Sequence, residues 1–233
     1  MKAILFDLDG TLLPMDIEKF IYLYGKSVSE AFYDFTEVDR IFPQVMHSVK
    51  DTVMNTEKKK NFDKFFDHFE MHMPRAKEEY IKRFNEFYIE GFEKVKSATS
   101  SSAEIVEAVD ILKSKGFKLI IATNPVFPMA ANISRIRWAG LTIESFDYIT
   151  SFEENHYCKP HLKFYKEVLE QNGLEAEDVL MVGNDVQEDL CIKSLGAKTY
   201  LLEDHIINRK PDEPIDTDFR GTYHDFLQFV KSL

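Results

Sequence analysis

The sequence predicts an α/β protein: a doubly wound parallel sheet with an all-helical domain inserted near its start. Three observations predict it. Ala3 to Phe6 form a short apolar run that breaks into the polar segment Asp7-x-Asp9-Gly10-Thr11. Beyond residue 97, apolar runs of strand length alternate with helical periods, the pattern of parallel strands joined by crossover helices. Between these two regions, residues 16–96 carry helical periodicity and no strand pattern.

In order along the chain, Ala3–Phe6 has the composition of a strand buried on both faces. Alternation places positions 7 and 9 on one side of it, and Gly10 permits a sharp turn. Two carboxylates this close repel, so both stay ionised cheaply only where a cation or strong donors compensate them. Mg²⁺ is such a cation; it takes oxygen ligands and is commonly completed by substrate phosphate. The competing reading is an Asp-Gly turn whose carboxylates face water.

From Asp16 to about Lys96 one helical period follows another. Phe62, Phe65, Phe66 and Phe69 share a stripe, as do Tyr80, Phe84, Phe87 and Tyr88. Asp16 to Tyr33 and Glu37 to Met54 read as two further helices, with Pro43 near the start of the second and Pro74 marking a break before the last. Sixteen of the 31 aromatic residues fall here, which assigns most of them to a packed core. The expected organisation is a core of residues 1–15 and 97–233 and a helical domain of residues 16–96. His68 and His72 stand four apart but lack the following Glu of a metalloprotease helix, so they read as packing or surface histidines.

Ser97 to Ser102 reads as a linker, and Ser101-x-x-Glu104 as a capping box opening a helix that stops at Gly116. Strands are then expected at Phe117–Ala122, Phe146–Thr150, Val179–Val182 and Thr199–Leu202. Helices are expected from about Pro128 to Trp138, at Leu162–Gln171 and Val186–Leu195, and near Tyr223–Val230, after a loop rich in Pro and Asp.

The polar signals sit just past strand ends, where open parallel sheets build their sites. Thr123 and Asn124 offer a hydroxyl and backbone N–H groups to phosphoryl oxygens, or simply form a turn. Lys159 precedes Pro160, which holds it extended; a lysine fixed there can neutralise a carboxylate or a transferring phosphoryl group. Gly183-Asn184-Asp185 ends another strand, and Asp189 follows four residues on. Asp185 is expected to extend into the site. Asp189 can reach Lys159 or a metal-bound water, or compensate a helix dipole.

Composition narrows the partners. At 233 residues with 44% hydrophobic and 30% charged residues, the chain is an ordinary globular protein. A net charge of −11 argues against nucleic acid and requires any phosphate site to be locally positive. Cys158 and Cys191 are far apart and outside any C-x-x-C pattern, which fits a reducing cytosol; Cys158 reads as an inert small residue. No apolar run reaches membrane-span length, and Asp7 interrupts the first one, so a cytoplasmic protein is expected. Monomer and homodimer both remain open.

D-x-D-G-T, a Thr at a strand end, Lys-Pro, and G-N-D-x-x-x-D appear in that order. In this the chain resembles the haloacid dehalogenase superfamily, the aspartate-nucleophile phosphohydrolases, over residues 1–15 and about 97–205, with the helical insert where that family carries its cap. The resemblance implies a Rossmann-like core and the following roles. Asp7 is the nucleophile, forming an aspartyl-phosphate. Asp9 is the general acid and then the base. Mg²⁺ is held by the Asp7 carboxylate, the Asp9 backbone carbonyl and Asp185. Thr123, Asn124 and Lys159 bind the phosphoryl oxygens. Asp189 orients Lys159 or a metal-bound water, and Gly10 and Thr11 shape the loop on which the cap moves.

The implied function is a Mg²⁺-dependent phosphatase acting on a small phosphorylated metabolite. A dehalogenase is disfavoured by Asp9. A sugar-phosphate mutase uses the same residues and stays open. A phosphonate hydrolase needs a cap lysine that the sequence does not single out. A non-catalytic phospho-acceptor or regulatory protein is the reading from another class, opposed by the length of the chain, the helical insert, and an Asp9 placed to speed hydrolysis. Asn184 departs from the acid many relatives carry, leaving the outer shell of the metal undefined, and His161 and Lys163 lie close to the expected site mouth.

Overall fold

Strand β1 (Ala3–Phe6) lies at the centre of a six-stranded sheet whose other members are β2 (Lys118–Ile121), β3 (Tyr148–Ile149), β4 (Val179–Gly183), β5 (Lys198–Leu202) and β6 (Phe219–Gly221). The computed structural model describes residues 1–233. The order is β3-β2-β1-β4-β5-β6 and every pairing is parallel. The chain runs outward from β1 to β3 on one side, then restarts at β4 on the other. The crevice at the carboxyl ends of β1 and β4 is therefore the topological switch point, where such sheets bind ligands.

Strand β1 is buried on both faces because helices cover both. Ile4 and Phe6 join a cluster with Ile105, Val109 and Leu112 of α5 (Ala103–Ser114) and Phe226 and Val230 of α8 (Tyr223–Ser232). Ala3 and Leu5 face Phe164, Tyr165 and Val168 of α7 (Leu162–Asn172). This alternation is the strand period made visible. Burying side chains of this size stabilises the fold by roughly 1.5–3 kcal/mol each.

The insert comprises α1 (Ile17–Ala31), α2 (Val38–Val53), α3 (Asn61–Glu70) and α4 (Lys77–Glu86). Helix α4 runs on through a π turn, Phe87–Gly91, and a 3₁₀ segment, Phe92–Ala98. Asp16 caps α1, its side chain accepting from the Lys19 N–H at 3.0 Å. Both aromatic stripes turn inward as the periodicity implies, with Phe65, Phe66, Phe69, Tyr80, Phe84 and Phe87 buried in one core and Phe62 and Tyr88 partly buried against it. Glu37 ties the insert together: its carboxylate accepts from Tyr80 Oη and Arg75 Nε, each at 2.7 Å, and from Thr36 Oγ1 at 2.8 Å. The two connections to the sheet lie side by side as a ribbon. Asp16 N–H donates to the Ala98 carbonyl at 2.9 Å and Ser100 N–H to that of Pro14 at 3.0 Å.

Several local expectations are corrected. Residues 186–189 form a turn rather than the start of a helix, and a 3₁₀ segment follows at Leu190–Leu195. The cause is side-chain competition for the backbone. Asp185 Oδ1 accepts from the N–H groups of Gln187 and Glu188 at 3.0 and 2.9 Å, and Asp189 Oδ2 accepts from Asp185 N–H at 2.9 Å. Ser102, not Ser101, caps α5, accepting from Ile105 N–H at 3.3 Å. A true capping box occurs instead at Thr222 and Asp225, opening α8. Strand β6, expected as loop, forms because the edge of β5 pairs with Phe219–Gly221. Helix α6 (Met129–Trp138) begins after Pro128, as expected.

Candidate active site

Asp7 follows β1 directly, its N–H donating to the Val182 carbonyl at 2.9 Å, so the ladder extends one residue into the crevice and fixes the carboxylate there. The loop then reverses at Gly10, whose φ of +80° is open to glycine. A Cβ at Gly10 would also lie 2.4 Å from Asn184 Nδ2. Thr11 Oγ1 donates to Asn184 Oδ1 at 2.9 Å, and Asn184 Nδ2 donates to the His205 carbonyl at 2.7 Å. Asn184 thus clamps the turn after β1 to the loop after β5.

Lys159, joined to Pro160 by a cis peptide bond, extends its side chain into the crevice and is 1% exposed. Its Nζ donates to Asp7 Oδ1 at 2.8 Å and to Asp189 Oδ1 at 2.7 Å. Asp189 is placed for this by Gly183, where a Cβ would stand 2.2 Å from Asp189 Oδ2. Burial opposes the charge on Lys159, yet Asp189 and Asp7 outweigh it and hold its pKa above the usual value. One ammonium cannot neutralise two carboxylates. Burial, with the charge of Asp7 adding, therefore pushes Asp189 up to about 7 despite Lys159.

Asn124 orients the lysine backbone, accepting from Lys159 N–H at 2.8 Å while its Nδ2 donates to Glu188 Oε2 at 2.8 Å. The Asn124 side chain is thus spent on support. Thr123 is buried at the end of β2; its carbonyl accepts from Thr150 Oγ1 at 2.6 Å, and its own hydroxyl makes no hydrogen bond within the protein. Cys158, beside the lysine, is buried, and burial pushes its thiol up to about 12, in keeping with an inert residue.

Three groups were not singled out in the sequence. Arg135 on α6 is fully buried, donates to Asp9 Oδ2 and to Asn132 Oδ1, and stacks on Phe127 with Cζ 4.3 Å from the ring centroid. Its signal was present: it stands on the stripe of Ala131, Ile136 and Trp138, and an arginine on a buried face needs a buried acid. Arg209 lies in the loop after β5, with its Nη1 2.7 Å from Asp185 Oδ2, and no periodicity pointed to it. Glu188 completes the group, 3.4 Å from Arg209 Nη2.

Asp9 lies deep beneath the helical insert yet keeps 29% of its side-chain surface accessible. Burial raises its pKa above the ordinary range; the charge of Asp7 adds to this and Arg135 opposes it. Its Oδ1 is buried without a partner. Together, five acids, Asp7, Asp9, Asp185, Glu188 and Asp189, face three bases, Lys159, Arg135 and Arg209, so with every acid ionised two negative charges lack a basic partner.

A divalent cation would close that balance, and the donors around it are hard oxygens, the type Mg²⁺ prefers. No three acidic, histidine or cysteine side chains converge into a cage. Mg²⁺ does not require one: it commonly takes one or two carboxylates, with water and substrate phosphate supplying the rest. The Asp7 and Asp185 carboxylates with the Asp9 carbonyl therefore fit it. Arg209, 52% exposed at its side chain, is free to move aside.

A carboxylate pair just past the central strand, a buried lysine and further acids gather into one polar site at the switch point. The sequence model of the haloacid dehalogenase-like hydrolases matches residues 1–190, and the chain belongs to that family. It is 30% identical over 203 residues to a phosphoglycolate phosphatase of Aquifex aeolicus, covering 86% of this chain and 84% of that one. A glyceraldehyde 3-phosphate phosphatase of Methanocaldococcus jannaschii is 25% identical over 248 residues, covering 100% and 98%. Among solved structures, a HAD phosphatase from Thermococcus onnurineus shares the fold with a TM-score of 0.60 at 20% identity, covering 99% of this chain and 98% of that one. No helix is long and apolar enough to cross a membrane.

Proposed function

We propose that this protein is a Mg²⁺-dependent phosphatase that cleaves a small phosphorylated metabolite through an aspartyl-phosphate on Asp7, with residues 16–96 acting as a cap over a core of residues 1–15 and 97–233. The observation that carries the reading is the contact of Lys159 Nζ with Asp7 Oδ1 at 2.8 Å, beside an Asp9 whose pKa is raised. An ammonium there balances an incoming phosphoryl group without removing the nucleophile's charge.

Asp7 attacks phosphorus in line with the leaving oxygen. The P–O ester bond breaks, and Asp9, its pKa raised chiefly by burial, acts as the acid that gives a proton to the departing alkoxide. Lys159, the Thr123 hydroxyl and the backbone N–H groups after β2 bind phosphoryl oxygens. Asp9, now ionised, then takes a proton from water as that water attacks the acyl phosphate; phosphate leaves and Asp7 is restored. Arg135 keeps Asp9 oriented in both steps. Mg²⁺, held by Asp7, Asp185 and the Asp9 carbonyl, would supply charge neutralisation.

The test is hydrolysis of an aryl phosphate with and without Mg²⁺, beside Asp7→Asn. Mg²⁺-dependent turnover that disappears in the variant supports the reading. Equal turnover by the variant overturns it.

A further inference from the structure

A cavity of about 190 Å³ lies between the helical insert and the sheet, and Asp9 is the one member of the carboxylate and lysine constellation in its wall. Asp7, Lys159 and Asp185 stand outside it. The phosphoryl group must sit on Asp7 and the ester oxygen within reach of Asp9. The leaving group therefore extends from Asp9 into this cavity.

The walls are nearly all apolar. Fifteen of the nineteen lining residues are hydrophobic, with Phe20, Phe62, Phe66, Phe127 and Phe152 contributed by four different segments. None is a lysine, arginine or histidine. The polar groups present are already engaged. Tyr24 Oη and Tyr88 Oη bond one another at 2.8 Å, and Glu153 accepts from Met129 N–H at 3.2 Å, capping α6. Besides Asp9, whose Oδ1 has no partner, Asn85 is the exception, and it carries no charge. The rim is apolar too, since Ile17, Ile21 and Met46, each more than 40% exposed, border the opening.

We propose that the substrate is a phosphate monoester whose leaving group is uncharged and apolar, a single aromatic ring or a short alkyl chain. This rests on the phosphatase reading above and narrows it. A carboxylate or second phosphate in the cavity would be desolvated among walls that contribute no cation, beside Glu153 and with the neighbouring Arg135 already paired to Asp9, and such burial is strongly unfavourable. An apolar group gains from the same walls. Size agrees: a cavity of about 150 Å³ lined by aliphatic and aromatic side chains takes benzene.

The experiment measures kcat/KM with Mg²⁺ for methyl, butyl, hexyl and phenyl phosphate beside 2-phosphoglycolate and inorganic pyrophosphate. Each buried methylene is expected to raise kcat/KM about fourfold until the cavity is full, and phenyl phosphate is expected to exceed methyl phosphate by at least about tenfold. Phosphoglycolate and pyrophosphate are expected to fall below methyl phosphate. Ile21→Lys, at the half-exposed rim, is expected to shrink the hexyl-to-methyl ratio and raise the phosphoglycolate-to-phenyl ratio several-fold. Turnover that is flat with chain length, or that favours the doubly anionic substrates, overturns the inference while the phosphatase reading stands. No turnover of any ester overturns both.

Discussion

Lys159 Nζ stands 2.8 Å from Asp7 Oδ1, joining residues 152 apart in sequence within a pocket that leaves the lysine 1% exposed. The pair has two consequences. In the proposed mechanism it pre-places a cation where phosphoryl charge arrives, and it makes the lysine part of the folded core. Lys159→Met is expected to cut kcat by at least about 10²-fold, the usual loss on removing one preorganised donor. It is also expected to lower stability, because Asp189 and Asp7 lose their shared partner; removing one side of a buried pair typically costs about 3–5 kcal/mol. Single-turnover kinetics and urea unfolding check the two effects separately.

Arg135 acts through Asp9. Burial raises the Asp9 pKa and Arg135 holds the rise in check. Removing the guanidinium while keeping an amide, as in Arg135→Gln, is expected to raise it further. In the proposed mechanism Asp9 must be protonated to release the alkoxide, so the alkaline limb of the kcat/KM profile should move to higher pH while its plateau drops. A limb that stays in place would assign that titration to another group.

Arg209 occupies the Asp185 carboxylate that the proposed reading gives to Mg²⁺. The guanidinium is half exposed, and pairs of that kind are worth about 0.2–1 kcal/mol. Arg209→Ala is accordingly expected to tighten Mg²⁺ binding by a few-fold at most, and Asp185→Ala to abolish it. Calorimetric titration reads both in the absence of substrate.

Glu37 governs the acid stability of the helical insert. Burial alone would raise its pKa, but hydrogen bonds from Tyr80, Thr36 and Arg75 outweigh burial and bring it from 4.5 to about 2. A carboxylate with a depressed folded pKa stabilises above its unfolded pKa and loses that contribution as pH falls through the folded one. Glu37→Gln is therefore expected to be less stable than wild type at neutral pH by about 1–3 kcal/mol, with the gap closing between pH 4.5 and about 2. Thermal unfolding across that range measures it.

Local chemistry made much of the molecule legible. The apolar Ala3–Phe6 run ending in Asp7 and Asp9, the phenylalanine stripes of the insert, and the Gly173 and Gly196 stops all follow from periods and backbone preferences that act within a few residues. The same range explains the errors. Whether Asp185 and Asp189 would start a helix or fold back on their own N–H groups depended on Gly183 leaving room for the Asp189 carboxylate, a contact the linear pattern does not encode.

The sequence by itself determined the class of fold and which residue types stand at strand ends, because strand and helix periods and the turn at Gly10 are set locally. Tertiary structure alone decided the partners: Arg135 with Asp9, Arg209 with Asp185, and an insert whose aromatic rings meet those of the core loops around one cavity. Each joins segments brought together by the crossover of the chain at β1 and β4. Pairing across such distances is fixed by burial and charge compensation in three dimensions, and neither leaves a repeat in the chain.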